Sequence, residues 1–204
     1  MLVIGVTGGV GTGKSTVSKL LAAHGAVVLD ADVIAHEAMR PRTAAWRAIV
    51  ARFGRDILKP NGAINRAALA QRVFRDATSR RALERIIHPR VIRIIRQRIA
   101  WLTRSRRASV VVLDVPLLIE AGMRHMVDAL VVVTAPARVR QQRLQRRGYT
   151  KEDIARRAAA QLRLSAKVGM ADYLIDNGKG RSHTRRQVDQ LWKQLKKVTR
   201  KSRG

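Results

Sequence analysis

No cysteine occurs among the 204 residues, which excludes a disulfide framework and any zinc site built on thiolates. Aromatic residues make up only 3%, so a core must be assembled from Ala, Val, Ile and Leu. No run of 18 apolar residues exists, so no membrane-spanning helix is expected. The chain passes directly into an apolar strand-like run, Leu2-Val3-Ile4-Gly5-Val6, which leaves no room for a secretory signal peptide and makes the cytosol the expected compartment. Internal repeats, low-complexity segments, zinc-finger spacing and RNA-binding aromatic motifs are all missing. Acidic residues are scarce as well: 14 Asp and Glu against 42 Lys and Arg give a formal charge of +28.

That surplus has two readings. Lys and Arg release counterions from phosphate backbones, so a nucleic-acid partner is one of them. A binding footprint, however, gathers cations into a patch or stripe. Here they are scattered through helical segments from Arg40 to Lys197. A compositional bias laid over an ordinary fold is the simpler reading, with nucleic-acid binding at most non-specific. A hydrophobic content of 46% in a chain of this length predicts one folded domain with a substantial core.

What is present is organised around Gly8-Gly9-Val10-Gly11-Thr12-Gly13-Lys14-Ser15, which fits the phosphate-binding pattern G-x-x-x-x-G-K-[ST]. A buried strand precedes it, and Ser15 to Ala23 follows with helical spacing of Val17, Leu20 and Leu21. Gly9, Gly11 and Gly13 let backbone N–H groups approach phosphate oxygens, with Thr12 between them. The helix start aims its unpaired N–H groups at the same anion. Lys14 supplies a point charge, the Ser15 hydroxyl a ligand for Mg²⁺, and Thr16 continues the loop into the helix. The expected ligand is a nucleoside triphosphate, ATP.

Further along, Ala26 to Leu29 reads as a second strand ending in Asp30-Ala31-Asp32. Val33 to Arg104 has helical spacing throughout, with a turn at Pro60-Asn61-Gly62. His88-Pro89 predicts a helix break and restart, which would leave a groove beside it. Ser109 to Asp114 is a buried strand closed by an acid, followed by the apolar Pro116–Glu120 segment. Ala129 to Thr134 and Tyr173 to Asp176 complete five strands. Pro136 opens an arginine-rich helix closed by Gly148-Tyr149. Thr150 to Asp153 has capping-box form for a helix reaching about Arg163. Thr184 to Thr199 is amphipathic, and the basic tail from Lys196 is expected to fray. Alternating, all-buried strands and helices predict an α/β fold with a parallel sheet covered on both faces.

Taken together, the glycine loop, Asp30-Ala31-Asp32, His88-Pro89, Pro116-Leu117-Leu118 with Glu120 and Gly122, Ala171-Asp172 and Ile175-Asp176-Asn177 resemble dephospho-CoA kinase over nearly the whole chain. The resemblance implies a three-layer P-loop fold with a core of about 1–32, 106–137 and 170–204. It also implies a helical acceptor-binding insertion at about 33–105 and a lid at about 138–169. The implied reaction phosphorylates the ribose 3′-hydroxyl of dephospho-CoA with ATP and Mg²⁺. It makes Asp32 the proton acceptor, and places His88, Pro116 and Leu117 in the acceptor region.

At least one of Arg143, Arg146 and Arg147 should close over the triphosphate, whereas Arg138 and Arg140 suit a solvated face. The segment Arg143 to Thr150 is about one residue shorter than the family pattern, which leaves Arg146 and Arg147 as alternatives for the second lid arginine. Asp114 or Asp30 could hold the waters of the metal, with Ser15 as direct ligand. Asp32 could also serve as a helix N-cap. His24, His36, His125 and His183 have no metal-ligand spacing.

Two competing functions remain at this level. Another small-molecule P-loop kinase would share loop, sheet and lid. A GTPase switch or nucleic-acid-dependent ATPase would suit the charge. It lacks support, because no Asn-Lys-x-Asp guanine-reading motif is present and the chain is short for a helicase-like motor.

Overall fold

The computed structural model describes residues 1–201. They divide into two compact units: Met1–Asp30 together with the chain from Leu102 onward, and Ala31–Trp101.

The first unit is built on five parallel strands: β1 (Leu2–Gly8), β2 (Val27–Asp30), β3 (Val110–Asp114), β4 (Ala129–Thr134) and β5 (Tyr173–Asp176), in the order β2-β3-β1-β4-β5. Strands buried on both faces need apolar side chains at nearly every position, and β3 (Val-Val-Val-Leu-Asp) is buried along its whole length. One face of the sheet presents Ile4, Val6, Val110, Val112, Val131 and Val133. Against it pack Val17, Leu20 and Leu21 of the first helix, α1 (Lys14–Ala23), and Val188, Leu191 and Leu195 of the long helix at Arg181–Lys201. In that long helix the buried residues Thr184, Val188, Leu191, Leu195 and Thr199 recur at helical intervals and form the apolar stripe.

The second unit carries α2 (Ala31–Ala38), α3 (Ala44–Phe53), α4 (Arg66–Arg75) and most of α5 (Ala77–Ser105). Its own core is Ile49, Phe53, Ile57, Ile64 and Leu69, with Trp46, Leu83, Ile86 and Ile87 packed around it. Local caps set the helix starts. Thr43 accepts from Trp46 N, and Asn65 from Ala67 N and Ala68 N. The Trp46 indole donates to the Gly62 carbonyl at 2.9 Å and so fixes the Pro60-Asn61-Gly62 turn.

The His88-Pro89 pair does not break its helix: α5 runs through with Pro89 inside. Proline removes one backbone donor and crowds the preceding turn. In the same turn the Arg90 guanidinium donates to the Ile86 carbonyl at 2.6 Å.

The remaining helices are α6 (Ala137–Gln145), α7 (Lys151–Ala159), α8 (Leu164–Gly169) and α9 (Arg181–Lys201). Thr150 and Asp153 close a reciprocal capping box on α7. α7 stops four residues short of the expected Arg163, and the unforeseen α8 follows. The cause is tertiary: Leu162 N donates to the Glu120 carboxylate at 2.9 Å instead of continuing a helical ladder. The basic tail is helical, not frayed, from Lys196 to Lys201; its last residues, 202–204, lie outside the described residues. No helix among the described residues is long and apolar enough to cross a membrane.

Candidate active site

The carboxyl ends of β1, β2 and β3 are brought level by the sheet register, which pairs Val6 and Asp30 with Asp114. In open α/β sheets this is the edge where ligands bind. The glycine loop leaves β1 here. A β-carbon on Gly8 would overlap the Val133 carbonyl, so the loop lies against β4 with no space to spare. Gly11 and Gly13 hold φ of 79° and 86°, the left-handed region that glycine enters without strain. Thr12 is buried and its hydroxyl donates back to the Gly9 carbonyl at 2.9 Å. α1 then starts at Lys14 with no side-chain cap and no acid in its first turn. Its leading N–H groups and the positive end of its dipole face the loop, an arrangement suited to an anion.

The loop is clamped from the far end of the chain. Asn177 follows β5 and is 4% exposed. Its amide nitrogen donates to the Thr12 carbonyl at 2.8 Å, while its Oδ1 accepts the Thr184 hydroxyl at 2.8 Å. Arg143 of α6 reaches the same point, donating to the Thr12 carbonyl at 3.2 Å and the Asn177 carbonyl at 2.7 Å. Beyond Arg143 the helix ends; Arg146 forms its cap, and Gly148 turns the chain with φ of 81°. Arg143, Arg146 and Arg147 line one cavity of about 650 Å³ with Gly13, Thr16, Lys19, Asn177, Arg181 and Arg185.

Asp114 is buried and accepts the Ser18 hydroxyl at 2.7 Å, which orients it behind α1. The Ser15 side chain is exposed in the first turn. Two residues past Asp114, the Pro116 carbonyl accepts from the Thr7 hydroxyl and the Lys167 ammonium, both at 3.0 Å. Lys167 is fully buried and pairs with Glu120 at 2.8 Å. Burial pushes the Glu120 carboxyl up, but hydrogen bonds from Lys167 and from the backbone N–H groups of Glu120 and Leu162 outweigh it. The carboxyl is held below its ordinary range.

A model of the dephospho-CoA kinase family matches residues 2–182. The chain belongs to the dephospho-CoA kinase family. It is 41% identical over 198 residues to the dephospho-CoA kinase of Moorella thermoacetica, covering 97% of this chain and 93% of that one. It is 44% identical over 195 residues to the one from Geobacter metallireducens, covering 95% and 96%. Among solved structures, TT1252 from Thermus thermophilus superposes with a TM-score of 0.79 at 30% identity, covering 93% of this chain and 95% of that one. The dephospho-CoA kinase from Campylobacter jejuni shares the fold, with a TM-score of 0.73 at 24% identity and coverage of 96% and 98%.

In this family member the remaining predicted site residues lie in the second unit or near the sheet edge. Asp32 is exposed in the first turn of α2, inside the helix and not at its cap. His88 is exposed in mid-α5, and Pro116 and Leu117 are half-buried after β3. No group of three or more His, Asp or Glu that could hold a metal occurs among the described residues.

Three residues had not been singled out as site candidates. Asn177 enters the sequence reading only through the Ile175-Asp176-Asn177 element and its Asn-Gly turn, and Lys167 does not enter it. Arg140 was expected on a solvated face, yet its Nε is buried without a partner among the described residues. Its Nη1 lies 3.3 Å from where a β-carbon on Gly9 would stand, because α6 packs against the glycine loop. Arg138 is exposed as expected.

Proposed function

We propose that this dephospho-CoA kinase family member transfers the γ-phosphoryl group of ATP to the ribose 3′-hydroxyl of dephospho-CoA, giving coenzyme A and ADP. The observation that carries this reading is the family match across residues 2–182, joined to an uncapped helix start behind a complete glycine loop.

Phosphoryl transfer asks a protein mainly for positioning and charge neutralisation. In this reading the N–H groups of Gly9, Gly11, Thr12, Gly13, Ser15 and Thr16 and the Lys14 ammonium hold the triphosphate. Arg143, fixed on the loop carbonyl of Thr12, stands ready to stabilise charge as the β–γ bond breaks. Arg146 and Arg147 border the same cavity and cover the donor from the lid segment.

Ser15 and the oriented Asp114 are the residues that would hold Mg²⁺ and its waters. A site with few protein ligands suits a cation that keeps waters and leans on substrate phosphates. When bound, Mg²⁺ neutralises charge on the β- and γ-phosphoryl oxygens. The acceptor residues in this reading are Asp32 and His88 of the helical unit and Pro116 and Leu117 after β3. Asp32 takes the proton from the 3′-hydroxyl as that oxygen bonds to the γ-phosphorus.

The test is a competition between dephospho-CoA and adenosine at fixed ATP and Mg²⁺, with Lys14→Ala as the donor-site control. Dephospho-CoA should show much the higher kcat/KM, since contacts remote from the reacting hydroxyl can be used to align it. Lys14→Ala should abolish both reactions in a folded protein. Equal use of the two acceptors would point to a simpler nucleoside kinase.

A further inference from the structure

Burying an ammonium group is costly unless a partner and hydrogen bonds compensate it. Lys167 is 0% exposed, at the end of the segment that follows α7, and so must be held for a reason that surface lysines do not have. Its partners explain where the constraint goes. The Nζ donates to the Pro116 carbonyl at 3.0 Å and pairs with the Glu120 carboxylate at 2.8 Å. Both acceptors belong to one short segment, Pro116–Glu120, which leaves the carboxyl end of β3 two residues after Asp114. The same Glu120 oxygen accepts Leu162 N at 2.9 Å, just beyond α7. The same Pro116 carbonyl accepts the hydroxyl of Thr7, which immediately precedes the glycine loop. One cation therefore joins three pieces of chain: the entrance to the phosphate loop, the segment after β3, and the exit from the α6–α7 region.

We propose that Lys167 is a positioning residue for the acceptor, coupling the placement of Pro116 and Leu117 to the state of the α6–α7 lid segment. This rests on the acceptor reading of Pro116 and Leu117 given above. The ammonium suits the task because three rotatable donors on a compact head can bridge a carbonyl and a carboxylate in different directions. Glu120 neutralises it and carries the connection on to Leu162. Closure of the lid segment over ATP would thereby set the Pro116 wall, and a bound acceptor would in turn favour closure. Such coupling is reciprocal: ATP should tighten dephospho-CoA binding by the same factor that dephospho-CoA tightens ATP.

The experiment measures KM for each substrate and the affinity for dephospho-CoA with and without a non-hydrolysable ATP analogue. It compares wild type, Lys167→Met and Lys167→Arg. In Lys167→Met the KM for dephospho-CoA should rise about tenfold while the KM for ATP moves less than twofold, and the analogue should no longer tighten acceptor binding. Lys167→Arg keeps the charge, but its planar fork cannot sit between Pro116 and Glu120 in the same way. It should raise the acceptor KM selectively while the unfolding midpoint stays within a few degrees, and it decides the matter if the Met variant does not fold. Parallel changes in both KM values tracking stability, or unchanged coupling in folded variants, would overturn the proposal. Failure of the acceptor reading itself would show separately, as wild-type enzyme using adenosine as well as dephospho-CoA.

Discussion

Gly13 and Asn177 interlock: a β-carbon on Gly13 would overlap the Asn177 amide nitrogen, which donates to the carbonyl of the neighbouring Thr12. The last turn of the sheet thus fixes the shape of the first loop. Asn177→Ala should leave the Thr184 hydroxyl without the Asn177 acceptor, and the Thr12 carbonyl with Arg143 but not the amide. Losing such buried partners costs about 2 kcal/mol, or roughly 4–8 °C in Tm for a chain of this size. The KM for ATP should rise with it. Thermal unfolding and ATP titration check both, and a variant unchanged in each would show that the clamp does not shape the loop.

Asp32→Asn keeps the shape of the side chain in the first turn of α2 and removes the carboxylate proposed as proton acceptor. Turnover should fall on the order of 10²–10⁴-fold, the usual worth of general-base assistance, with ATP affinity little changed. Collapse of ATP affinity instead would assign Asp32 to the metal and its waters.

Glu120 gives a pH signature. Its carboxyl is held below its ordinary value of 4.5 in the folded protein. The unfolded chain therefore binds more protons in that window, and stability rises with pH there. The contribution is complete above the ordinary value and is lost as pH falls through the depressed one. Glu120→Gln should flatten this part of the stability curve between neutral pH and about pH 3. Chemical denaturation of both proteins across that range is the measurement. Parallel curves would mean that the pair with Lys167 does not survive in solution.

The surplus of cations makes a fourth test. If it is compositional, duplex RNA or DNA should bind weakly, lose affinity steeply as salt rises, and leave ATP turnover unaltered. Saturable, sequence-selective binding at physiological salt would reopen the nucleic-acid reading.

The central strands β1, β3 and β4 were legible because each is an apolar run buried on both faces, the shorter edge strands β2 and β5 because each ends an apolar run in Asp, and the glycine loop because its neighbours on either side are a strand and a helix. What escaped detection depends on contacts distant in sequence. Pro89 looks like a helix end, but α5 continues through it, with Ile86 and Ile87 packed on the core around Ile49 and Phe53. The end of α7 is set by Glu120, 42 residues earlier. Asn177 is 165 residues from the carbonyl it holds, and nothing in an Asn-Gly pair announces that use. Arg140 shares a helix with solvated arginines and differs only in facing Gly9.

The order of the strands has a consequence for how the chain assembles. β1 ends at Gly8, yet it sits in the middle of the sheet, and its two neighbours begin only at Val110 and Ala129. Neither edge of β1 can be satisfied until both have been made. The residues between, by contrast, gather a core of their own from Ile49 to Leu69. Pairings of such long sequence separation are slow to close, because loop entropy is lost before contacts reward it. The glycine loop is therefore written near the beginning of the chain, yet its clamped shape requires Asn177, which comes only after β5.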